Sequence, residues 1–414
     1  MTKTLQRPGG QVGLIYLSTL LGNANFQAGL WIIYLTQSGL SLLQVGVLQA
    51  VLSVTVVTVE LPGGSLADHL GRKPTVIAGR LCVAAYMLVM LAHPSVEGLA
   101  IGFAVYGAGM AFVSGAETAL LLDVREQSAA AATGSADDLT VDTSRVVGRY
   151  FALITISMAV GLALGGLLQR LGWEWVFAAS AVTQLLAAAA LLPVRERSRR
   201  TVDAETEAHE QLVGLRASVA FLWSQPRTLA LVGAMALYTG IVSVVYMLGQ
   251  PLLEAAGAAV ASIALLYAFE ACLGALGAAQ AHRVQARFGL RLGLLSGTAV
   301  TIALLAGLSS PIALLVVVGF SALGAVDNVM DTLGQTALVL AAPERIRASV
   351  LSLLSMSASA VMAIAMPLFG LADQHAQLGG AVFLLGVAAM SIVAILCVIS
   401  TKNLSPLLSQ VVSS

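Results

Sequence analysis

The polar positions of this chain are bunched, and the apolar ones run together for long stretches between them. Neither the alternation of a half-buried strand nor the 3.6-residue stripe of a surface helix dominates. Twelve apolar runs stand out, at about 12–36, 41–62, 75–93, 96–122, 147–169, 173–193, 227–250, 258–281, 291–308, 311–336, 347–370 and 379–400. A hydrocarbon core about 30 Å thick takes roughly 20 helical residues to cross, so each run is one candidate span. The expectation is an all-α membrane protein of twelve transmembrane helices. Its longest polar stretch, 194–226, divides six spans from six. The expected domains are therefore a six-helix bundle over 1–193, a cytoplasmic linker over 194–226 and a second bundle over 227–414. A further polar insert, "REQSAAAATGSADDLTVDTSR", separates spans 4 and 5 and reads as a mobile loop.

Composition sharpens this picture. The 414 residues are 58% hydrophobic and 10% charged, with mean hydropathy +0.90, where a soluble domain carries about 25% charged residues. Lysine plus arginine balance aspartate plus glutamate at 21 each, which argues against an electrostatic nucleic-acid partner. Cys82, Cys272 and Cys397 lie far apart inside apolar runs and suggest neither a disulfide framework nor a metal site. The N-terminal "MTKTLQRPGGQVG" is too polar for a cleaved leader, and the first span is expected to stay as an anchor.

Basic residues orient the spans. With the N-terminus in the cytoplasm, Arg170 alone of the 21 basic residues falls on the outer side, as the positive-inside rule requires. Both termini are then cytoplasmic, and the expected location is the inner membrane. An internal repeat is also visible. "ADHLGRK" (67–73) aligns with "QARFGLR" (285–291), and "ETALLLD" (117–123) with "QTALVLA" (335–341), both at an offset of 218. Past the insert, "GLALGG" (161–166) meets "MPLFGL" (366–371) at an offset of 205. Two homologous bundles in parallel orientation explain both offsets.

Between spans 2 and 3 the chain reads G-x-L-A-D-x-x-G-R-K, with Gly64, Leu66, Ala67, Asp68, Gly71, Arg72 and Lys73. This resembles the signature loop of the major facilitator superfamily, and the resemblance extends over essentially the whole chain. It implies the major facilitator fold, and a loop that latches the two bundles on the cytoplasmic side through Asp68 and Arg72. Gly64 suits close helix approach and Gly71 a tight turn. Asp68 suits the N–H groups at a neighbouring helix start. The alternative is a solvated loop whose basic residues only obey the orientation rule. Two further family patterns are degraded. Phe103 stands where proton-coupled members often carry an arginine on span 4. On span 5, Gly161, Leu162, Gly165 and Gly166 keep the glycines of the antiporter pattern without its proline. The resemblance thus points toward the drug/proton antiporter branch with only half of its marks.

Candidate chemistry lies in acids placed within apolar runs, where an ionised carboxylate is costly and marks a pathway or a partner. Glu270 sits near the middle of span 8. Asp327 and Asp331 are four apart on span 10, so they share a face. Glu60 and Glu117 lie toward the cytoplasmic ends of spans 2 and 4, as gate partners of Arg145 or Arg149 or as coupling groups. Desolvation favours the neutral form of a carboxyl group, which suits a proton carrier. Each acid has a structural alternative in a bond to a neighbouring helix. Asn23, Asn25 and Gln27 on span 1, Tyr238, Tyr246 and Gln250 on span 7, and Asn328 on span 10 complete the polar set. The resemblance implies that spans 1, 4, 7 and 10 line the cavity. Few polar groups among aliphatic walls suit a lipophilic or cationic solute.

No phosphate-binding G-x-x-x-x-G-K-[ST] loop occurs, so a carrier of this sequence couples to a gradient or runs downhill. His69, His93, His209, His282 and His375 fall in loops or at helix ends, which disfavours a membrane-embedded enzyme. The expectation is a monomeric secondary transporter, with protons, a small solute and the bilayer as partners and neither cofactor nor metal. It exports small lipophilic or cationic compounds against protons; import of a small metabolite is the alternative. Topology is directly testable in a background lacking the three native cysteines. Ala208→Cys and Ser405→Cys should resist an impermeant thiol reagent in intact cells, and Glu97→Cys should react. Strong labelling of Ala208→Cys would overturn the two-bundle assignment.

Overall fold

The structure, a computed structural model, describes residues 8–92, 95–130, 136–196 and 201–401. Within these, the side chains of 8–9, 61–70, 127–130, 136–144, 201–212 and 376 lie outside the description. Every regular element among the described residues is a helix, as lipid demands of a chain that must pair its own backbone groups. Ten helices among them are long and apolar enough to cross a membrane. One of these, Val260–Leu308, turns at Gly289 and holds spans 8 and 9. The first span is present as two pieces, Pro8–Gly22 and Trp31–Gln37. Among the described residues this makes twelve apolar helical segments, where the apolar runs place them. The linker contributes a helix of its own, Thr201–Ser224, and residues 131–135 of the polar insert lie outside the described residues.

Turn geometry repeats with the sequence. Left-handed backbone occurs at Gly39 and Gly257, and at Gly71 and Gly289, each pair 218 residues apart. Gly172 and Gln377 share it at a spacing of 205. These are the two repeat offsets, so both halves turn at equivalent points. Glycine supplies this conformation without strain; Gln377 is the position that departs from it.

Contacts divide the chain into two compact units, residues 1–31 with 51–208, and residues 32–50 with 209–414. In the first, Ile15, Val76, Leu120, Leu121, Tyr150 and Leu191 form a buried apolar cluster. Spans 3 and 4 approach closely because Gly79 and Gly109 face each other; a Cβ on Gly79 would lie 2.7 Å from the Gly109 carbonyl oxygen. In the second, Gly277 of span 8 lies against the Ala325 backbone of span 10. Small residues permit such approach where lipid supplies no hydrophobic drive between helices. Large apolar side chains such as Ile101, Leu171, Leu276 and Ile395 are exposed, which suits contact with acyl chains.

The break in span 1, at 23–30, is the main departure from a plain bundle. The run "GNANFQAG" lies inside the apolar stretch 12–36 that reads as one helix, yet its backbone unwinds. The carbonyl groups released at the end of Pro8–Gly22 find partners in the same unit. The Gly22 carbonyl accepts from Arg80 (Nη1, 2.9 Å) and Gln184 (Nε2, 2.8 Å). The Leu20 carbonyl accepts from Ser157. Glycines of span 5 make room for the unwound segment: a Cβ on Gly161 would lie 3.0 Å from the Asn25 nitrogen, and one on Gly165 would overlap the Phe26 carbonyl.

Arg80 corrects the sequence reading, which placed it with the cytoplasmic loop charges. It lies eight residues into Arg72–Leu91, about 12 Å along the helix, and is only 4% exposed. Its Nη2 pairs with Glu117 Oε1 at 2.7 Å, and Tyr150 donates to Glu117 Oε2 at 3.1 Å. Glu117 is thus bound to Arg80 and Tyr150. The guanidinium also sits at the carbonyl end of a helix, where a cation is favoured. Removing one partner of such a pair leaves a buried charge, at a cost of about 3–5 kcal/mol, whereas replacing both with apolar groups can be nearly neutral. Arg80→Met and Glu117→Leu should each lower the unfolding temperature in detergent sharply, and the double variant should recover much of the loss. Additive losses in the double variant would contradict the pairing.

Candidate functional site

The described cavity lies wholly within the second unit and has a volume of about 460 Å³. Three spans build it. Span 10, Ala313–Ala341, is an uninterrupted helix, so Asp327, Asp331 and Gln335 stack on one face about 6 Å apart. Span 7 contributes Thr239 and Ser243, and span 11 contributes Ser355, Ser359, Leu351, Leu354, Ala358 and Met362. Seven of these eleven lining residues are polar, while most of the surface they present to the cavity is apolar. No lysine, arginine or histidine lines it.

The two aspartates differ in their partners. Asp331 Oδ2 accepts from Gln335 Nε2 at 2.7 Å. Asp327 Oδ1 is inaccessible to solvent and has no hydrogen-bond partner among the described residues, and the same holds for Thr239 Oγ1. Burying a polar atom unpaired costs free energy. Two such atoms belong to residues that line one cavity.

Glu270 stands just beside this wall. It is 6% exposed and lies against span 10 at Gly324, where a Cβ would overlap its carboxylate. Gly274, one turn further on, lies against Asn328, whose Nδ2 would be 2.6 Å from a Cβ there. Tyr246 of span 7 lies close to Glu270. Glu270 and Asp327 are near enough to interact electrostatically. The structure therefore brings together three of the acids singled out in the sequence: Asp327 and Asp331 in the cavity, Glu270 beside it.

The other singled-out residues are placed elsewhere. Tyr238 is buried with its hydroxyl on Thr301 at 3.1 Å. Asn328 donates to the Gly324 carbonyl of its own helix at 2.9 Å. Gln250 Oε1 accepts the Ile32 N–H at 2.8 Å, which satisfies a free donor at the start of Trp31–Gln37. In the first unit, Asn23 bonds the Thr19 carbonyl, Gln27 accepts from Ser180, and Asn25 accepts from Gln184 at 3.5 Å. Glu60 is half-buried on span 2 and does not line the cavity. Thr239, Ser243, Gln335, Ser355 and Ser359 escaped the sequence reading. Their signal was a four-residue spacing on three separate spans, which puts each set on one helix face.

The loop between spans 2 and 3 is ordered by residues the motif does not contain. Gly64 and Asp68 fall within 61–70, whose side chains lie outside the described residues. Gly71 makes the turn, with φ 97°. The carboxylate at the start of span 3 belongs to Glu196, which accepts from the Arg72 and Lys73 N–H groups at 2.6 and 3.0 Å. An anion is favoured at a helix N-terminus. Lys73 Nζ in turn donates to the Leu192 and Val194 carbonyls at the end of span 6, and Arg72 pairs with Asp123 at 2.7 Å.

Comparison with known proteins agrees with the fold. The model of the Major Facilitator Superfamily matches residues 12–281. The nucleoside transporter NupG superimposes with TM-score 0.77 at 13% identity, over 95% of this chain and 98% of that one. A bacterial homolog of the human lysosomal transporter Spinster gives 0.68 at 14%, over 94% of each chain. The D-xylose-proton symporter gives 0.66 at 14%, over 95% of each. At these identities the likeness is one of fold. No curated protein sequence matches the chain significantly.

The Glu196 cap is open to measurement. Glu196→Ala should lower stability in detergent by about 1 kcal/mol, the usual worth of an anionic cap. Glu196→Gln, which keeps an acceptor, should lose less. Equal stability of all three proteins would show that the loop does not depend on this carboxylate.

Proposed function

Because the chain belongs to the Major Facilitator Superfamily, we propose that it is a secondary active transporter that exports a small cationic solute in exchange for protons. The solute site is the cavity of the second unit, with Asp327 and Asp331 as its anionic wall. Glu270 carries the proton. The halves 1–193 and 227–414, joined by 194–226, expose the site alternately to the two sides, with Asp68 and Arg72 in the cytoplasmic latch. The protein acts as a monomer in the inner membrane with both termini in the cytoplasm.

One observation carries the reading: Asp327 and Asp331 line a cavity among whose described lining residues there is no lysine, arginine or histidine. A buried carboxylate must be protonated or meet a cation. Solute and proton are the two species that can supply this in turn, which is the logic of exchange. Glu270 is close enough to Asp327 to sense which of the two is present. The span 5 glycines support export in that they keep half of the antiporter pattern. A proton moving through 100 mV supplies about 2.3 kcal/mol, sufficient for substantial extrusion.

The hydroxyl-rich lining supports one second reading, uptake of a polar metabolite with protons. Transport into inverted vesicles with an imposed proton gradient distinguishes the two. Labelled organic cations should accumulate only when the vesicle interior is acidic. Glu270→Gln should abolish that accumulation while retaining exchange of solute for solute, and Asp327→Asn should lose cations more than neutral solutes. Uphill transport by Glu270→Gln with an unchanged pH profile would remove Glu270 from coupling. Accumulation of neutral polar solutes driven by the opposite gradient would establish uptake instead.

A further inference from the structure

The lining of the cavity carries information about its solute beyond charge. Accepting the reading of this cavity as a cation site, we infer that the solute is a protonated amine bearing hydroxyl groups on neighbouring carbons. It is neither a lipophilic cation nor a quaternary ammonium ion.

Three features lead there. First, Asp327 lines the cavity with no lysine, arginine or histidine among the described lining residues, so its carboxylate calls for a donor. An N–H donated by a cation to a carboxylate makes a charge-assisted bond, roughly twice as strong as a neutral one. A quaternary ammonium ion has no N–H and would leave Asp327 unpaired.

Second, no aromatic ring lines the cavity, whereas quaternary and delocalised lipophilic cations are recognised by aromatic faces. Four aromatic residues of spans 7, 8 and 10 are engaged elsewhere. Tyr246, Tyr267 and Phe320 pack on one another, with ring centroids 4.6–5.8 Å apart, and Tyr238 is bound to Thr301.

Third, hydroxyl groups stand on two walls beside the aspartates. Thr239 and Ser243 are four apart on span 7, and Ser355 and Ser359 are four apart on span 11. Four-residue spacing sets each pair one turn apart on a single face. A hydroxyl can both donate and accept, so hydroxyls on the solute match these side chains as an apolar surface would not. Leu351, Leu354, Ala358 and Met362 remain to cover the C–H face of a ring. A volume of about 460 Å³ lies toward the small end of the range for ligand sites and accommodates a single hydroxylated ring.

Four probes separate charge from hydroxyl recognition on the purified full-length protein: 2-deoxystreptamine, 1,3-diaminocyclohexane with amines only, myo-inositol with hydroxyls only, and tetraethylammonium. Calorimetric titration should show that 2-deoxystreptamine binds at least about tenfold more tightly than 1,3-diaminocyclohexane, the worth of one well-made hydrogen bond. Myo-inositol and tetraethylammonium should not bind. Asp327→Asn should abolish binding of both diamines. Thr239→Val, which keeps shape, and the double variant Ser355→Ala/Ser359→Ala should narrow the gap between the diamines while leaving 1,3-diaminocyclohexane unchanged. That pattern cannot arise from misfolding, because one ligand reports the intact site.

Equal affinity for the two diamines, or tighter binding of tetraethylammonium, would overturn the inference. If the vesicle assay then still shows proton-driven export of those ions, the cation-transport reading stands without it. If no cation in either assay binds or moves, both fall.

Discussion

Inside a bilayer no water is at hand to satisfy a backbone carbonyl, a guanidinium or a carboxylate, so each must find a partner within the protein or cost several kcal/mol. The helices follow from this constraint, and so do the places where they deviate. Where span 1 unwinds, Arg80, Gln184 and Ser157 converge on the carbonyls it releases, and Glu117 neutralises the charge that Arg80 brings. Beyond the break, the first free N–H of Trp31–Gln37 is met by Gln250, and Gln37 donates to Glu254 one turn further along span 7. The break persists because both of its ends are paired.

The same constraint gives Asp327 its significance. The repeat allows a direct comparison, since Glu117 and Gln335 occupy equivalent positions at the 218-residue offset. In the first unit that position holds a carboxylate matched by Arg80 and Tyr150, and the result is a closed structural cluster. In the second it holds an amide that binds Asp331. The position equivalent to Arg80 is Thr298, whose hydroxyl bonds its own helix at Leu294. With no arginine there, the second unit keeps anionic charge beside a cavity and no internal cation against it. The first unit pairs its buried carboxylate with an arginine, whereas the second sets two aspartates in a cavity wall with no basic residue among the described lining, and that is the basis of the functional proposal.

Much of this was legible in the sequence because it is imposed by length and periodicity. A span needs about 20 apolar residues, so the twelve runs could be counted. Gly71 and Gly289 could be paired through the repeat, and their turns match. Asp327 and Asp331 declared a shared face by their spacing. Three features were hidden for separate reasons. Arg80 lies close to a polar loop in sequence and obeys the orientation rule, so nothing local shows that it reaches inward to Gly22. The break at 23–30 is hidden because unwinding depends on distant partners, although Gly22, Asn23 and Asn25 together weaken that helix. The cavity hydroxyls were overlooked because serine and threonine in membrane helices commonly bond the carbonyl four residues back, as Thr301 and Thr298 do here. The Glu196 cap could not be read from the motif at all, since it comes from more than a hundred residues away.

The central claim is that solute and proton compete for one carboxylate cluster in the second unit. The most direct measurement is the proton release that accompanies binding of a saturating cationic solute to the purified protein, in weakly buffered detergent near neutral pH. The account predicts that binding releases protons into solution, and that Glu270→Gln binds the same solute with much of that release lost. Binding without proton release, or release that is undiminished in Glu270→Gln, would contradict it.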